Sequence, residues 1–218
     1  MTILVIGTPD SGKSEKAEGL ALELSGNGKK IYLATMIPYG AEGEKRIEKH
    51  RKLRDGKGFI TVEKTHNVAD IIDETGFIEI KRSEDKSKDK NEGPYRVEAS
   101  DVTVLLECVS NLCANEMFDK TDERANERAD ERANERTDEI IGLSAEQAVK
   151  KIISDILKLR DCVKNLVIVT NEFAPEESFD EETLNYIKAV SSINEGLRRH
   201  VDKIYEKIKG VWKIYEDH

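Results

Sequence analysis

The chain opens on an unbroken apolar run, Ile3-Leu4-Val5-Ile6, too short for a helix and mostly β-branched, which predicts an interior strand covered on both faces. Ala17, Leu20, Ala21 and Leu24 then recur at helical spacing until Gly26-Asn27-Gly28 ends the pattern. Lys30–Thr35 predicts a second strand, Glu42–Leu53 a highly charged helix, Phe59–Glu63 a third strand, and Val68–Ile72 the start of another helix. Val102–Leu106 is again a short β-branched run, followed by a helix from Asn111 towards Phe118. An amphipathic helix over Gln147–Val163 leads into the buried strand Leu166–Val169. A last helix carries Leu184, Ile187, Val190, Ile193 and Leu197, and Ile204–Tyr215 reads as an edge strand. Strands alternating with helices from end to end imply a mostly parallel sheet covered by helices on both faces, in one α/β domain over 1–218.

Two stretches break this rhythm. Residues 79–100 hold six acids and six bases with no apolar period and read as a solvated insertion. Residues 119–140 contain a four-residue repeat, ERAN-ERAD-ERAN-ERTD. Its Arg-to-Glu pairs at i,i+3 favour an exposed helix, while its glutamates stack at i,i+4 and repel. From Asp119 to Glu139 nine acids face five bases, so this tract alone supplies −4 of the net −9. With nothing to bury, it reads as an expanded surface insertion.

The net charge of −9 disfavours a nucleic-acid backbone as the main ligand. No apolar stretch approaches the roughly 20 residues a membrane helix requires, so membrane insertion is not expected. Three cysteines without metal-ligand spacing fit reduced thiols, and a cytoplasmic location is the expectation.

The first strand runs directly into Gly7-Thr8-Pro9-Asp10-Ser11-Gly12-Lys13-Ser14, the G-x-x-x-x-G-K-S phosphate loop in its strand-to-helix context. Loop N–H groups and the following helix N-terminus cradle phosphate, Lys13 reaches the β- and γ-phosphates, and the Ser14 hydroxyl suits Mg²⁺. A nucleoside triphosphate, ATP or GTP with Mg²⁺, is therefore the expected ligand, and the fold a P-loop NTPase of the RecA-like kind. Ligands in such sheets gather at the carboxyl ends of the strands, where Thr35, Glu107 and Asn171-Glu172 fall. Glu107, after an apolar run, has the position of a Mg²⁺-holding carboxylate. His50 lies in Arg46-Ile47-Glu48-Lys49-His50-Arg51-Lys52, whose cations favour a neutral, nucleophilic imidazole and attract a triphosphate. The same residues equally describe a solvated basic helix face.

Several of these segments together resemble one family. They are I-L-V-I-G-T-P-D-S-G-K-S, Y-L-A-T at 32–35, R-I-E-K-H-R at 46–51, F-I-T-V-E at 59–63, L-L-E-C at 105–108 with Asn115, V-T-N-E at 169–172, and Ile193-Asn194. The pattern is similar to the bifunctional adenosylcobinamide kinase/adenosylcobinamide-phosphate guanylyltransferases of cobalamin biosynthesis. The resemblance implies phosphorylation of the corrinoid by ATP or GTP, then transfer of GMP from GTP through a guanylylated histidine, which matches His50. It implies nucleotide contacts on residues 7–14, on Ala34, Thr35 and Met36, on Arg51, Lys52, Leu53 and Arg54, and on Glu63 and Glu107. It also implies a homo-oligomer, a trimer in the family. The chain departs from the pattern after Glu172, where Phe173-Ala174-Pro175-Glu176-Glu177 replaces a glycine-rich loop, and no arginine stands between Asp180 and Ala189. The segment after His50 is one residue longer than in the family. The alternatives that the sequence leaves open are a P-loop small-molecule kinase without guanylyl transfer and a non-catalytic nucleotide-binding regulator. Deleting residues 123–139 is expected to leave the thermal unfolding midpoint unchanged; a large drop would show that the repeat packs against the domain.

Overall fold

The computed structural model describes residues 1–38, 40–80, 95–118 and 142–216. The elements run β1 (Thr2–Gly7), α1 (Lys13–Ser25), β2 (Lys30–Ala34), α2 (Gly40–Arg54), β3 (Ile60–Glu63), β4 (Phe77–Ile80), β5 (Tyr95–Glu98) and β6 (Thr103–Glu107). They continue as α3 (Val109–Phe118), α4 (Ala145–Cys162), β7 (Asn165–Asn171), α5 (Glu181–Arg198), β8 (Lys203–Ile208) and β9 (Val211–Glu216). Seven strands form one sheet in the order β3-β2-β6-β7-β1-β8-β9, parallel throughout except for β9 at its edge.

Period-2 alternation explains why the strands read as continuous apolar runs. Ile3 and Val5 point to one face, where Ala17, Leu20 and Ala21 of α1 cover them together with Tyr32, Leu105, Val167 and Val169. Leu4 and Ile6 point to the other, where they join Leu33, Leu106, Ile168 and the apolar faces of α3, α4 and α5. The sheet thus carries a helix layer on each side, as the sequence pattern predicts.

β7 lies between β1, which bears the phosphate loop, and β6, which ends in Glu107. One strand between the P-loop strand and the acidic strand is the arrangement of RecA-like P-loop folds, and the chain has that fold. The carboxyl ends of β1, β2, β6 and β7 therefore converge on a single edge of the sheet.

Several elements differ from the sequence reading. The two ends of the stretch read as a solvated insertion are strands, β4 and β5, paired antiparallel with Ile78, Ile80 and Val97 buried. The dense Lys/Asp background hid an alternation only four residues long in each strand. Residues 81–94, and the 119–141 tract that holds the charged repeat, lie outside the described residues. Ile204–Tyr215 is a hairpin rather than an edge strand. β8 is interior, parallel beside β1, and only β9 is at the edge. Lys209 and Gly210 both take positive φ in its turn, which matches the right-handed twist of the strands. Val68–Ile71 is a single 3₁₀ turn, not a helix, because Asp73 recruits the following N–H groups of Thr75 and Phe77.

Helix α4 begins with a reciprocal capping box between Ser144 and Gln147 and buries Ile152, Ile156 and Leu159. Ile156→Ala is expected to cost about 2–5 kcal/mol and Ser144→Ala about 1 kcal/mol in urea titrations, the first through a cavity and the second because the Gln147 N–H loses its side-chain acceptor.

Candidate functional site

The phosphate loop connects β1 to α1. Gly7 is required because a Cβ there would stand 2.6 Å from the Ser11 hydroxyl. Gly12 takes φ 81° as the N-cap of α1, next to Asp10 at φ 56°. Left-handed residues spaced this closely turn consecutive N–H groups inward, and no side chain caps the first turn of α1, so these donors are available to an anion. Thr8, Pro9 and Asp10 are exposed, and the Ser11 hydroxyl is buried without a partner. Lys13 is buried, its Nζ donating to the Thr8 carbonyl at 3.1 Å and so curling back over the loop.

The Ser14 hydroxyl donates to Glu107 Oε1 at 2.9 Å, and Glu107 Oε2 is buried with no hydrogen-bond partner. Burial raises the Glu107 carboxyl to about 7, opposed by the Ser14 hydrogen bond and the Lys13 charge. A hydroxyl against a carboxylate with one orphaned oxygen is a donor set that fits Mg²⁺. Among the described residues no group of three or more His, Cys, Asp or Glu side chains has metal-binding geometry, so such an ion would take its remaining ligands from phosphate and water.

Thr35, fully buried, ties the ends of β2 and β6 together. Its hydroxyl donates to the Cys108 carbonyl at 2.8 Å and receives the Cys108 N–H at 2.8 Å. The hydroxyl is thereby committed to the backbone behind Glu107. Asn115 of α3 donates to the carbonyls of Thr35 (2.7 Å) and Thr65 (2.9 Å), fixing the loops after β2 and β3. Ala34 and Met36 flank Thr35, both half-buried. At the end of β7, Asn171 donates to Ser110 at 2.5 Å and its carbonyl accepts from Asn194 at 3.0 Å. Glu172 is exposed.

His50, on α2, is half-buried with a buried Nδ1 that has no partner. Its pKa is lowered, first by burial and then by the Arg54 guanidinium, with Lys49 and Lys13 acting in the same direction and Glu18 against them. The imidazole is therefore neutral at pH 7, and burial outweighs the flanking bases that the sequence reading emphasised. The action of Lys13 and Glu18 on this ring places α2 electrostatically within reach of α1. Arg54 is buried with its guanidinium 3.6 Å from the Tyr32 ring centroid.

The remaining residues implied by the resemblance are more peripheral. Arg51 and Glu63 pair with each other at 3.2 Å with both side chains largely exposed, and Lys52 pairs with Glu48 at 2.8 Å on the surface of α2. The side chain of Leu53 lies outside the described residues.

Glu18 escaped the sequence reading. It is buried one helical turn beyond Ser14, pairs with Lys57 at 2.5 Å, and keeps Oε1 without a partner. The available signal was a lone acid on the apolar side of α1, beside Ala17 and Ala21, together with the lysine inside Gly56-Lys57-Gly58.

The fold and the site thus define a P-loop nucleotide-binding protein. A family model, cobinamide kinase / cobinamide phosphate guanyltransferase, matches residues 3–80 and is the family whose motifs the chain resembles. That stretch contains the phosphate loop, Glu18, His50 and Glu63. No curated protein matches the chain by sequence. Among solved structures, it is similar to the flagellar accessory protein FlaH from Methanocaldococcus jannaschii (12% identity, TM-score 0.36, 98% of this chain and 75% of that one). It is also similar to an ATPase from the type III secretion system of pathogenic bacteria (11%, 0.42, 95% and 52%) and to the ATPase domain of G40P (14%, 0.44, 95% and 69%). The chain spans about half of the secretion ATPase. The fold class rests on the chain's own strand order and loop. No helix among the described residues is long and apolar enough to cross a membrane.

Ionising Glu107 in the metal-free protein means charging a buried carboxyl, whereas in the unfolded chain it ionises near the ordinary value of 4.5. The native state therefore retains a proton between 4.5 and about 7 that the unfolded state has lost, and stability declines across that window. Glu107→Gln is expected to gain on the wild type as pH rises from 5 to 8 in denaturant titrations without Mg²⁺; a parallel pH response of the two would contradict the assignment.

Proposed function

We propose that the chain phosphorylates adenosylcobinamide with a nucleoside triphosphate and then transfers GMP from GTP, through His50, to the phosphorylated corrinoid, giving adenosylcobinamide-GDP. The observation that supports this most directly is the convergence of two chemistries within the family-matched stretch 3–80. A complete phosphate loop and a neutral, partly buried histidine lie close enough for Lys13 to act on the ring.

In the kinase half, loop N–H groups and Lys13 hold the β- and γ-phosphates, and the corrinoid hydroxyl oxygen attacks the γ-phosphorus. The bond to the bridging oxygen breaks, the nucleoside diphosphate leaves and the hydroxyl proton is lost to solvent or a base. Ser14 and Glu107 would hold Mg²⁺, which neutralises phosphate charge during transfer. In the guanylyl half, a neutral ring nitrogen of His50 attacks the α-phosphorus of GTP and pyrophosphate leaves, with Lys13 and the α1 amides stabilising its charge. The resulting phosphoramidate is attacked by a phosphate oxygen of the corrinoid, which takes the GMP and regenerates the imidazole. Arg54 supplies a fixed cation beside the histidine. Arg51, Lys52, Leu53 and Glu63 form the outer rim on this reading, and Ala34, Thr35 and Met36 shape the strand end. A homotrimer accompanies the proposal by resemblance to the family, and a cytoplasmic location by the reduced-thiol reading of the cysteines.

Incubation with GTP and Mg²⁺ followed by intact-mass analysis should reveal a protein–GMP adduct that is acid-labile and alkali-stable. His50→Ala is expected to abolish the adduct while phosphorylation of the corrinoid persists; equal loss of both would make His50 structural. Lys13→Ala should remove both activities by at least about a hundredfold, as the loss of a main transition-state cation does. Because burial lowers the His50 pKa, adduct formation should fall off only below the ordinary histidine value of about 6.5. A decline centred above it would contradict the buried, cation-flanked ring.

A further inference from the structure

Two walls lead away from the phosphate loop. One is α2, with His50 and its basic residues. The other is a groove of about 510 Å³ between α1 and the β8–β9 hairpin, lined by Gly12, Glu15, Lys16, Leu20, Lys207 and Trp212 among others. The α1 residues recur at three- and four-residue intervals and so form one stripe that begins at the last glycine of the loop. β8 runs parallel beside β1 with Glu206 opposite Ile6, which brings Lys207 against the loop: a Cβ on Gly7 would stand 3.2 Å from the Lys207 Cβ. An ideal Cβ on Gly19 would meet nothing within 4 Å, so the groove is open at that point.

Its chemistry is mixed in a specific way. Trp212 is half-buried, packed against the core cluster to which Leu20 and Tyr205 belong, and the Lys207 ammonium lies 4.9 Å from its ring centroid. Lys16 similarly lies 4.6 Å from the Tyr205 centroid. A cation resting on a ring marks a π-face that a flexible side chain covers and can vacate. Glu15 and Glu23 of α1 add carboxylate acceptors to the lining. An aromatic face, amine donors at the phosphate end and carboxylates along the flank together suit a purine nucleoside.

We propose that this groove seats the base and ribose of the nucleotide whose phosphates occupy the P-loop during phosphoryl transfer, with Trp212 as the stacking platform and Lys207 moving from its ring to the α-phosphate. The proposal deepens the triphosphate reading above and rests on it. It gives the two half-reactions separate nucleoside walls around one phosphate loop: the hairpin side for the phosphate donor, the α2 side for the GTP that guanylylates His50.

Trp212 is the sole tryptophan of the chain, so its emission reports on this groove alone. The full chain is titrated with ATP, GTP and inorganic tripolyphosphate, each with Mg²⁺, while fluorescence and calorimetric affinity are followed in parallel. ATP is expected to change the emission, and tripolyphosphate to compete with it while leaving the emission unchanged. Trp212→Ala should weaken ATP by roughly five- to a hundredfold, the range of aromatic stacking on a base, and leave tripolyphosphate within about twofold. Trp212→Phe should restore most of the loss. Lys207→Met, which retains the packing beside Gly7, provides a second variant and should also weaken ATP more than tripolyphosphate. Equal ATP affinity in wild type, Trp212→Ala and Lys207→Met overturns the groove assignment while tripolyphosphate still binds. Failure of all three ligands to bind the wild type overturns the triphosphate reading itself, and this assignment with it.

Discussion

The hydrogen bond from the Ser14 hydroxyl to the Glu107 carboxylate joins segments 93 residues apart, and the rest of the site is arranged around it. It forms because β7 holds β1 and β6 in a parallel register that brings their carboxyl ends to the same edge of the sheet, Gly7 beside Asn171 and Glu107 beside Val169. It is oriented because Thr35 grips the backbone on both sides of the peptide that follows Glu107. A buried carboxylate with one satisfied oxygen is costly to charge on its own, and a divalent cation bound there removes that cost.

A second charged cluster lies next to the first. Lys13 and Glu18 on α1, Arg54 at the end of α2 and Lys57 in the turn that follows it have limited solvent, and each acts on His50, Glu107 or another member of the group. In low dielectric such charges interact strongly and cannot be removed singly without leaving an unpaired partner. The result is a histidine kept neutral by burial and cations, while burial also favours the neutral form of Glu107. Titratable groups perturbed by burial and by specific charges in this way are typical of functional sites.

The loop after β7 lacks the glycine-rich sequence of the resembling family, yet the strand end before it is tightly anchored. Thr170 donates to Asn194, Asn194 donates to the Asn171 carbonyl, and Asn171 donates to Ser110. Tyr186 closes the same network on the Ser110 carbonyl at 3.0 Å and packs against Phe173 and Phe118. Aromatic packing thus holds the start of this loop, at Phe173, against α5.

Much of this was legible in the sequence because it is local. The phosphate loop is a contiguous motif whose glycines answer to backbone geometry, and the short β-branched runs announce strands that are buried on both faces. The carboxyl-end positions of Thr35, Glu107 and Asn171 follow from where those runs stop. The tertiary structure decided what depends on distance in space. Strand order placed β7 between the loop and Glu107, and β8 beside β1, neither of which a one-dimensional pattern encodes. Helix packing buried Glu18 and half-buried His50, so desolvation, rather than the neighbouring lysines and arginines visible in the sequence, became the main influence on the histidine. The hairpin brought Trp212 alongside α1, joining the two ends of the chain in one groove, because pairing across a sheet is set by the packing of whole elements and not by the residues of any one.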